Sequence, residues 1–266
     1  MGKSFDEMLK GVLDLQKEVG EFQLGYFRNL ATDHIREKQA KDLVTEADVK
    51  SEQLLKKGLL DIFPDAAFFG EESGRSGDSK FLWVVDPIDG TTNFVSGLDQ
   101  FCISVALLED DKPVLGSIFR PPTQESFTAI DGAGAFHNQR PLAKRGPTTV
   151  DSSLIATGFP YRSLDLRRSF YKCADRVLDE TRGIRRMGSA ALDLAFVASG
   201  FFEGFWETDL QPYDVAAGLV LLNETGCSYS DFSGKAYDPF TQRSLVCGAP
   251  GVFEFLQGVT ASAYEF

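Results

Sequence analysis

The sequence predicts a layered α/β protein folded as one compact body, and three observations carry that prediction. The N-terminal segment spaces its apolar residues three and four apart, the signature of a helix with one buried face. Short β-branched or aromatic runs bounded by Gly, Pro or acidic turns follow it. Beyond the midpoint, helical and strand-like segments alternate, which favours packed layers over a bundle or a barrel. With 266 residues, 43% of them hydrophobic, the chain can bury a large core, and disorder and collagen-like repeats are excluded.

Phe5, Met8, Leu9, Val12, Leu15, Val19, Phe22 and Tyr26 give the apolar face of a long first helix. A second helix should follow Thr45, because Thr45-Glu46-Ala47-Asp48 has the form of a capping box; Leu54, Leu55 and Leu59 stand behind it and Pro64 ends it. Strands are predicted at Ala67 to Gly70, Phe81 to Asp86, Phe101 to Leu108, Val114 to Phe119 and Glu125 to Ile130, forming a mostly antiparallel sheet behind the two helices. In the second half, strands are predicted at Ser153 to Gly158, Phe201 to Glu207 and Ser244 to Cys247. Helices are predicted at Leu164 to Leu178, Ser189 to Ala198, Pro212 to Glu224 and from Gly251 onward. The loop Lys144 to Val150 is the seam between an N-terminal α+β half, 1–145, and a C-terminal α/β half, 146–266.

With 39 acidic against 27 basic residues, the net charge of −12 argues against a basic face that grips nucleic acid. Met1 to Lys10 has neither the basic start nor the apolar run of a secretory signal, so a cytoplasmic protein is expected. No stretch approaches the roughly 20 consecutive apolar residues of a membrane span. Cys102, Cys173, Cys227 and Cys247 stand far apart with no C-x-x-C pair, and His34 and His137 are the two imidazoles. Buried thiols in a reducing compartment fit this better than a zinc site or a disulfide scaffold. His34 lies in a polar stretch and reads as a surface residue; His137 reads as a core-edge one.

The densest chemical signal is Trp83-Val84-Val85-Asp86-Pro87-Ile88-Asp89-Gly90-Thr91-Thr92-Asn93-Phe94. A buried-type strand ends in two aspartates, and Pro87 fixes a sharp turn at which both carboxylates and the Ile88 carbonyl can converge. An all-oxygen set of this kind suits a hard divalent cation. The amides of Gly90, Thr91 and Thr92 at the following helix start would favour an anion, most simply a phosphate. Taken singly, these features also describe a capped turn. Gly70-Glu71-Glu72-Ser73 and Pro212-Tyr213-Asp214 add further acids at a strand end and a helix start. Two carboxylates about 4 Å apart repel by roughly 4 kcal/mol at an effective dielectric of 20, so such a cluster calls for metal ions.

On these residues the chain resembles the inositol monophosphatase family of Mg²⁺-dependent, lithium-sensitive phosphatases, with its fructose-1,6-bisphosphatase-like and adenosine-bisphosphate phosphatase-like branches. The resemblance covers Asp42-Leu43-Val44-Thr45 with Asp48, Gly70 to Ser73, Asp86 to Phe94, Gly132 to Phe136, Gly188 to Ala191 and Trp206 to Ala217. It implies a five-layer α-β-α-β-α sandwich and two to three Mg²⁺ ions. By position, Glu71, Asp86 and the Ile88 carbonyl resemble the ligands of the first ion, and Asp86, Asp89 and Asp214 those of the second. A third ion would use Glu71. Thr91, held beside Glu71, resembles a water-orienting residue, with Asp48 and Thr45 near the same water. Asp89, Gly90, Thr91, Thr92 and Asp214 match substrate-binding positions, where the Gly90 and Thr91 amides would hold phosphate oxygens. Glu207, Gly188, Ser189 and Ala190 match those that contact sugar or inositol hydroxyls. Thr45 and Asp48 are equally explained as a capping box.

The resemblance implies in-line attack by a metal-activated water without a covalent intermediate, releasing phosphate from a small phosphorylated polyol or sugar, first of all myo-inositol 1-phosphate. Fructose 1,6-bisphosphate would need a cationic subsite, for which Arg162, Arg167, Arg168, Arg185 and Arg186 are available. Adenosine 3',5'-bisphosphate would need a base-stacking pocket. A non-catalytic regulatory module is the alternative from another class. The family's homodimer is a further expectation. Two positions depart from the family pattern: its hairpin lysine falls near Glu37-Lys38, leaving Lys38 and Lys41 as candidates, and Tyr213 stands where animal enzymes have Trp.

Overall fold

The computed structural model describes residues 3–29, 35–39 and 42–264. Helix α1 (Phe5–Tyr26) begins at Ser4, whose hydroxyl accepts the Glu7 amide while Glu7 accepts the Ser4 amide in return. Strands β1 (Ile35–Gln39) and β2 (Asp42–Thr45) pair antiparallel and lead into α2 (Glu46–Ile62), which starts at the predicted Thr45–Asp48 capping box. Next come β3 (Ala67–Gly70), β4 (Gly74–Ser76) and β5 (Phe81–Asp89), and then the one-turn helix α3 (Thr91–Val95). The sheet continues through β6 (Cys102–Glu109), β7 (Lys112–Arg120), β8 (Glu125–Ile130), β9 (Gly134–His137) and β10 (Arg140–Pro141). These form an eight-stranded sheet in the order β10-β9-β8-β7-β6-β5-β3-β4, antiparallel except between β3 and β5.

The second half comprises β11 (Leu154–Thr157), α4 (Arg167–Glu180), β12 (Gly183–Arg185), α5 (Ala190–Ser199), β13 (Gly204–Glu207) and α6 (Pro212–Thr225), closed by β14 (Ser228–Ser230), β15 (Leu245–Gly248) and α7 (Val252–Ala263). Its five strands run in the order β12-β11-β13-β15-β14. The period-2 alternation of β5 sends Trp83 and Val85 to one face, against Met8, Val12 and Val19 of α1 and Leu55 and Leu59 of α2. Leu82 and Val84 face the other way, onto Leu194 of α5 and Leu219 of α6. The middle helices also meet Phe205 and Cys247 of the smaller sheet. That position explains why α5 is apolar on every face apart from Asp193, with every residue from Ala190 to Ala198 buried. Helices α4 and α7 cover the last face through Phe170, Val177, Leu256 and Val259. The result is the expected five-layer α-β-α-β-α sandwich.

Differences from the sequence reading sit at element ends. Strand β5 runs on to Asp89, and β13 begins at Gly204 rather than Phe201. The helix predicted from Leu164 opens with a 3₁₀ turn over Leu164–Leu166 before α4. The short strands β4, β10, β12 and β14 went unread, because two or three residues carry no pattern of their own and are strands through their partners. All four cysteines are buried and unpaired. His137 stacks on Phe127 with ring centroids 4.4 Å apart, at the edge of the core. His34, Lys41 and the side chain of Lys38 lie outside the described residues. No described helix is long and apolar enough to cross a membrane.

Candidate active site

The site is built on an irregularity in β5. Asp86 pairs with Ser104 of β6 and Asp89 with Cys102, so three steps on one strand match two on the other. The extra residue is a β-bulge. In a regular strand, Asp86 and Asp89 would point to opposite faces, because side chains alternate. The bulge returns Asp89 to the face of Asp86, toward the α5–α6 layer. This is the physical reason that the sequence-predicted turn is instead a continued strand.

Each acid is held by a different element. Asp86 Oδ1 accepts the Ile88 amide at 2.9 Å. Asp89 Oδ2 accepts the Ser189 hydroxyl at 2.5 Å and the Ala191 amide at 2.7 Å, both at the start of α5. Asp214 stands at the third position of α6, where its Oδ2 accepts the Gln211 amide at 2.7 Å. Glu71 lies on the turn after β3, with its amide donating to Val85 O of β5 at 3.2 Å. Asp86, Asp89 and Asp214 each bring a carboxylate oxygen within 4.8 Å of the others. Burial, then repulsion from Glu71, Asp89 and Asp214, pushes the Asp86 carboxyl well above its ordinary range. Burial likewise raises Asp214 and, against the hydrogen bonds from Ser189 and Ala191, Asp89.

Beside this cluster, α3 starts at Gly90, whose φ of +98° places it in the left-handed region. A Cβ there would lie 2.8 Å from the Gln100 carbonyl, so glycine is required. No side chain caps α3, and Gly90, Thr91 and Thr92 line the cavity. The Thr91 hydroxyl is 3.1 Å from Asp48 Oδ1 and 3.0 Å from the Ile88 carbonyl; its described partners are these two. Asp48 Oδ2 accepts the Thr45 amide at 2.8 Å and the Thr45 hydroxyl at 2.5 Å. The capping box and the contact with Thr91 therefore coexist. Burial raises the Asp48 carboxyl to about 6 despite these bonds. Asn93 ties α3 to the facing segment, donating to Gln100 O at 2.7 Å and Met187 O at 2.9 Å.

A cavity of about 430 Å³ brings together Glu71, Asp86, Ile88, Asp89, Gly90, Thr91, Thr92, Gly188, Ala190, Glu207 and Asp214. Ser189 is buried at 1% exposure, with its hydroxyl on Asp89. Thr45 and Asp48 stand behind Thr91 rather than in the cavity wall. Burial lifts the Glu207 carboxyl to about 8, opposed by the positive charge of Arg186. The far rim, with Phe159, Tyr161, Arg162, Arg186 and Asp209, was largely missed by sequence reasoning. The Arg186 guanidinium lies 5.7 Å from the Phe159 ring centroid and 5.2 Å from that of Tyr161. The signal for it was weak: exposed aromatics in an irregular stretch, next to arginines that also suit a solvated face. Arg167, Arg168 and Arg185 are exposed, and the cavity wall does not include them.

The donor set fits a hard divalent cation. Three buried or half-buried carboxylates converge, their described hydrogen bonds come from amides, a hydroxyl and a thiol, and mutual repulsion holds their proton affinity high. Gly90, Thr91, Thr92 and Glu207 line the same cavity.

The profile of the inositol monophosphatase family matches residues 4–263. The chain is 40% identical to an inositol-1-monophosphatase of Rhizobium meliloti over 82% of each chain. It is 37% identical to the Nus factor SuhB of Pseudomonas aeruginosa over 94% of each. The crystal structure of the extragenic suppressor protein suhB from Bartonella henselae superposes with a TM-score of 0.88 at 34% identity, covering 94% of this chain and 97% of that one. Fold, acidic cluster and sequence agree: this chain belongs to the inositol monophosphatase family, whose members are metal-dependent phosphatases that hydrolyse phosphomonoesters.

Proposed function

We propose that this chain is a Mg²⁺-dependent phosphatase of small polyol or sugar monophosphates, with myo-inositol 1-phosphate as its first substrate. The observation that carries the reading is the convergence of Asp86, Asp89 and Asp214 in one cavity with Glu71 and Glu207. Glu71, Asp86 and the Ile88 carbonyl would hold one Mg²⁺, Asp86, Asp89 and Asp214 a second, and Glu71 a third. The bound metal supplies positive charge that acidifies water and neutralises phosphate and leaving-group oxygens. Residues 1–145 contribute Glu71, Asp86, Asp89 and the phosphate-side amides, and residues 146–266 contribute Asp214 and the remaining substrate contacts.

The chain's own groups divide the remaining work. The Thr91 hydroxyl has one proton and two acceptors, Asp48 Oδ1 and the Ile88 carbonyl, so its lone pairs are free to orient a water in the cavity. Asp48, ionised above about pH 6, fixes that orientation. The amides of Gly90, Thr91 and Thr92 receive phosphate oxygens. Glu207, whose carboxyl titrates at about 8, meets vicinal hydroxyls of the leaving group, and Gly188 and Ala190 give the ring its wall. Ser189 serves substrate indirectly, through Asp89.

The test is phosphate release from myo-inositol 1-phosphate with and without Mg²⁺, in the wild type and in Asp86→Asn. Metal-dependent turnover that the substitution abolishes supports the reading, and equal turnover in both overturns it. A second reading, fructose 1,6-bisphosphate as substrate, is favoured by one observation: Arg162 and Arg186 line the same cavity as the acids. We also propose a cytoplasmic homodimer. Tyr171 and Leu178, two turns apart on α4, are 60% and 55% exposed and offer an apolar contact face. Sedimentation at micromolar concentration tests the dimer.

A further inference from the structure

Glu52 lies outside the cavity wall, yet it governs the turn that carries Glu71. It sits on α2 four residues after Asp48, so the two side chains leave the same helix face one turn apart. Its side chain is 3% exposed. Oε2 accepts the Glu72 amide at 2.7 Å and Oε1 accepts the Ser73 amide at 2.8 Å, so both carboxylate oxygens are spent on this one turn. From the opposite side, Val85 O of β5 accepts the Glu71 amide at 3.2 Å. Glu71 is thus pinned between a strand and a helix. Gly70 makes room for this arrangement, because a Cβ at that position would collide with the Glu52 carboxylate and the Phe68 ring.

The residue type is informative. Another negative charge near an already acidic site worsens repulsion, and it is tolerated only where both oxygens must accept. A glutamine in the same place would offer one acceptor and one NH₂ group, the latter set donor to donor against an amide. We propose that Glu52 is the positioning residue for Glu71, with α2 as the common strut: Asp48 fixes Thr91 and Glu52 fixes the metal-side acid. This inference rests on Glu71 being a metal ligand, as read above.

The experiment is direct Mn²⁺ binding to the full-length, substrate-free protein, followed by electron paramagnetic resonance, beside the Mg²⁺ dependence of phosphate release. Groups that orient a metal ligand typically change affinity by about 10–100-fold when removed. Glu52→Gln should therefore weaken Mn²⁺ binding and raise the half-saturating Mg²⁺ by about 10-fold or more, with kcat at saturating Mg²⁺ within about twofold of the wild type. A merely structural Glu52 would lower the melting temperature and leave metal affinity alone; that result, or a fall in kcat at unchanged affinity, overturns the proposal. Should Glu52→Gln fail to fold, Gly70→Ala displaces the carboxylate without removing it, and unchanged Mn²⁺ affinity in that variant overturns the proposal equally. Glu71→Gln separates the two readings. If it leaves Mn²⁺ binding intact, the ligand assignment fails and takes Glu52 with it. If it weakens binding while Glu52→Gln does not, only the role of Glu52 fails.

Discussion

Glu207→Gln should make the metal-free protein more stable at alkaline pH while damaging its activity. Glu207 lines the cavity, and burial lifts its carboxyl from near 4.5 to about 8. The folded chain therefore holds the proton more tightly than the unfolded chain does. Between about pH 4.5 and 8 the native state carries more protons than the unfolded state, so stability falls as pH rises through that window. The stability tied to this proton amounts to at most about 5 kcal/mol, fully present below about pH 4.5 and lost progressively as the pH rises to about 8. Glutamine has the same shape and no charge to desolvate, so that slope should disappear. The assay is urea unfolding in EDTA at pH 5 and pH 8, comparing free energies of wild type and variant. At pH 5 the two should differ by less than about 1 kcal/mol, and at pH 8 the variant should be the more stable by several kcal/mol. Equal pH slopes for both proteins would refute the reasoning, because they would mean that Glu207 ionises as freely folded as unfolded. Measured at about pH 9, where Glu207 is ionised, the same variant should raise KM for myo-inositol 1-phosphate by roughly 10-fold or more, since a charge-assisted hydrogen bond contributes about 1.5–3 kcal/mol.

Two further outcomes follow from the geometry. Arg186→Ala should lower kcat/KM for fructose 1,6-bisphosphate by roughly 10-fold relative to myo-inositol 1-phosphate, and an unchanged ratio would show that the guanidinium serves only its aromatic neighbours. Gly90→Ala should destabilise the protein by about 2 kcal/mol or more, a fall of roughly 4–8 °C in melting temperature by calorimetry, because it forces a Cβ into a left-handed residue against the Gln100 carbonyl.

The parts of this architecture that announce themselves in the chain are those that local physics decides. Helix α1 follows from an uninterrupted 3.6-residue apolar rhythm, and α2 from a capping box that forms as written. The acids were visible because carboxylates at strand ends and helix starts are costly without a partner. What escaped was whatever depends on a second segment. The bulge in β5 exists only in its register with β6, so the linear chain shows two aspartates three apart and not the common face they reach. Ser189 reads as a substrate contact until α5 docks and turns its hydroxyl onto Asp89. Thr91 shares the cavity wall with Glu71, and its hydrogen bond to Asp48 depends on α2 docking beside α3. The rim of Phe159, Tyr161 and Arg186 lies in and beside irregular backbone, where no periodicity marks which side chains turn inward.

The grip of α5 on Asp89 also orders events in time. The donor that fixes Asp89 lies 100 residues further along the chain, and Asp214 lies beyond that donor. A ribosome therefore releases Asp86 and Asp89 well before anything can complete their surroundings, and the emerging N-terminal half presents an unfinished set of oxygens to the divalent ions of the cell. The proposed ligand set is complete only when the middle layer has slotted between the two sheets. On the proposed ligand set, ion capture would follow the docking of both halves and would discriminate against truncated or half-made chains.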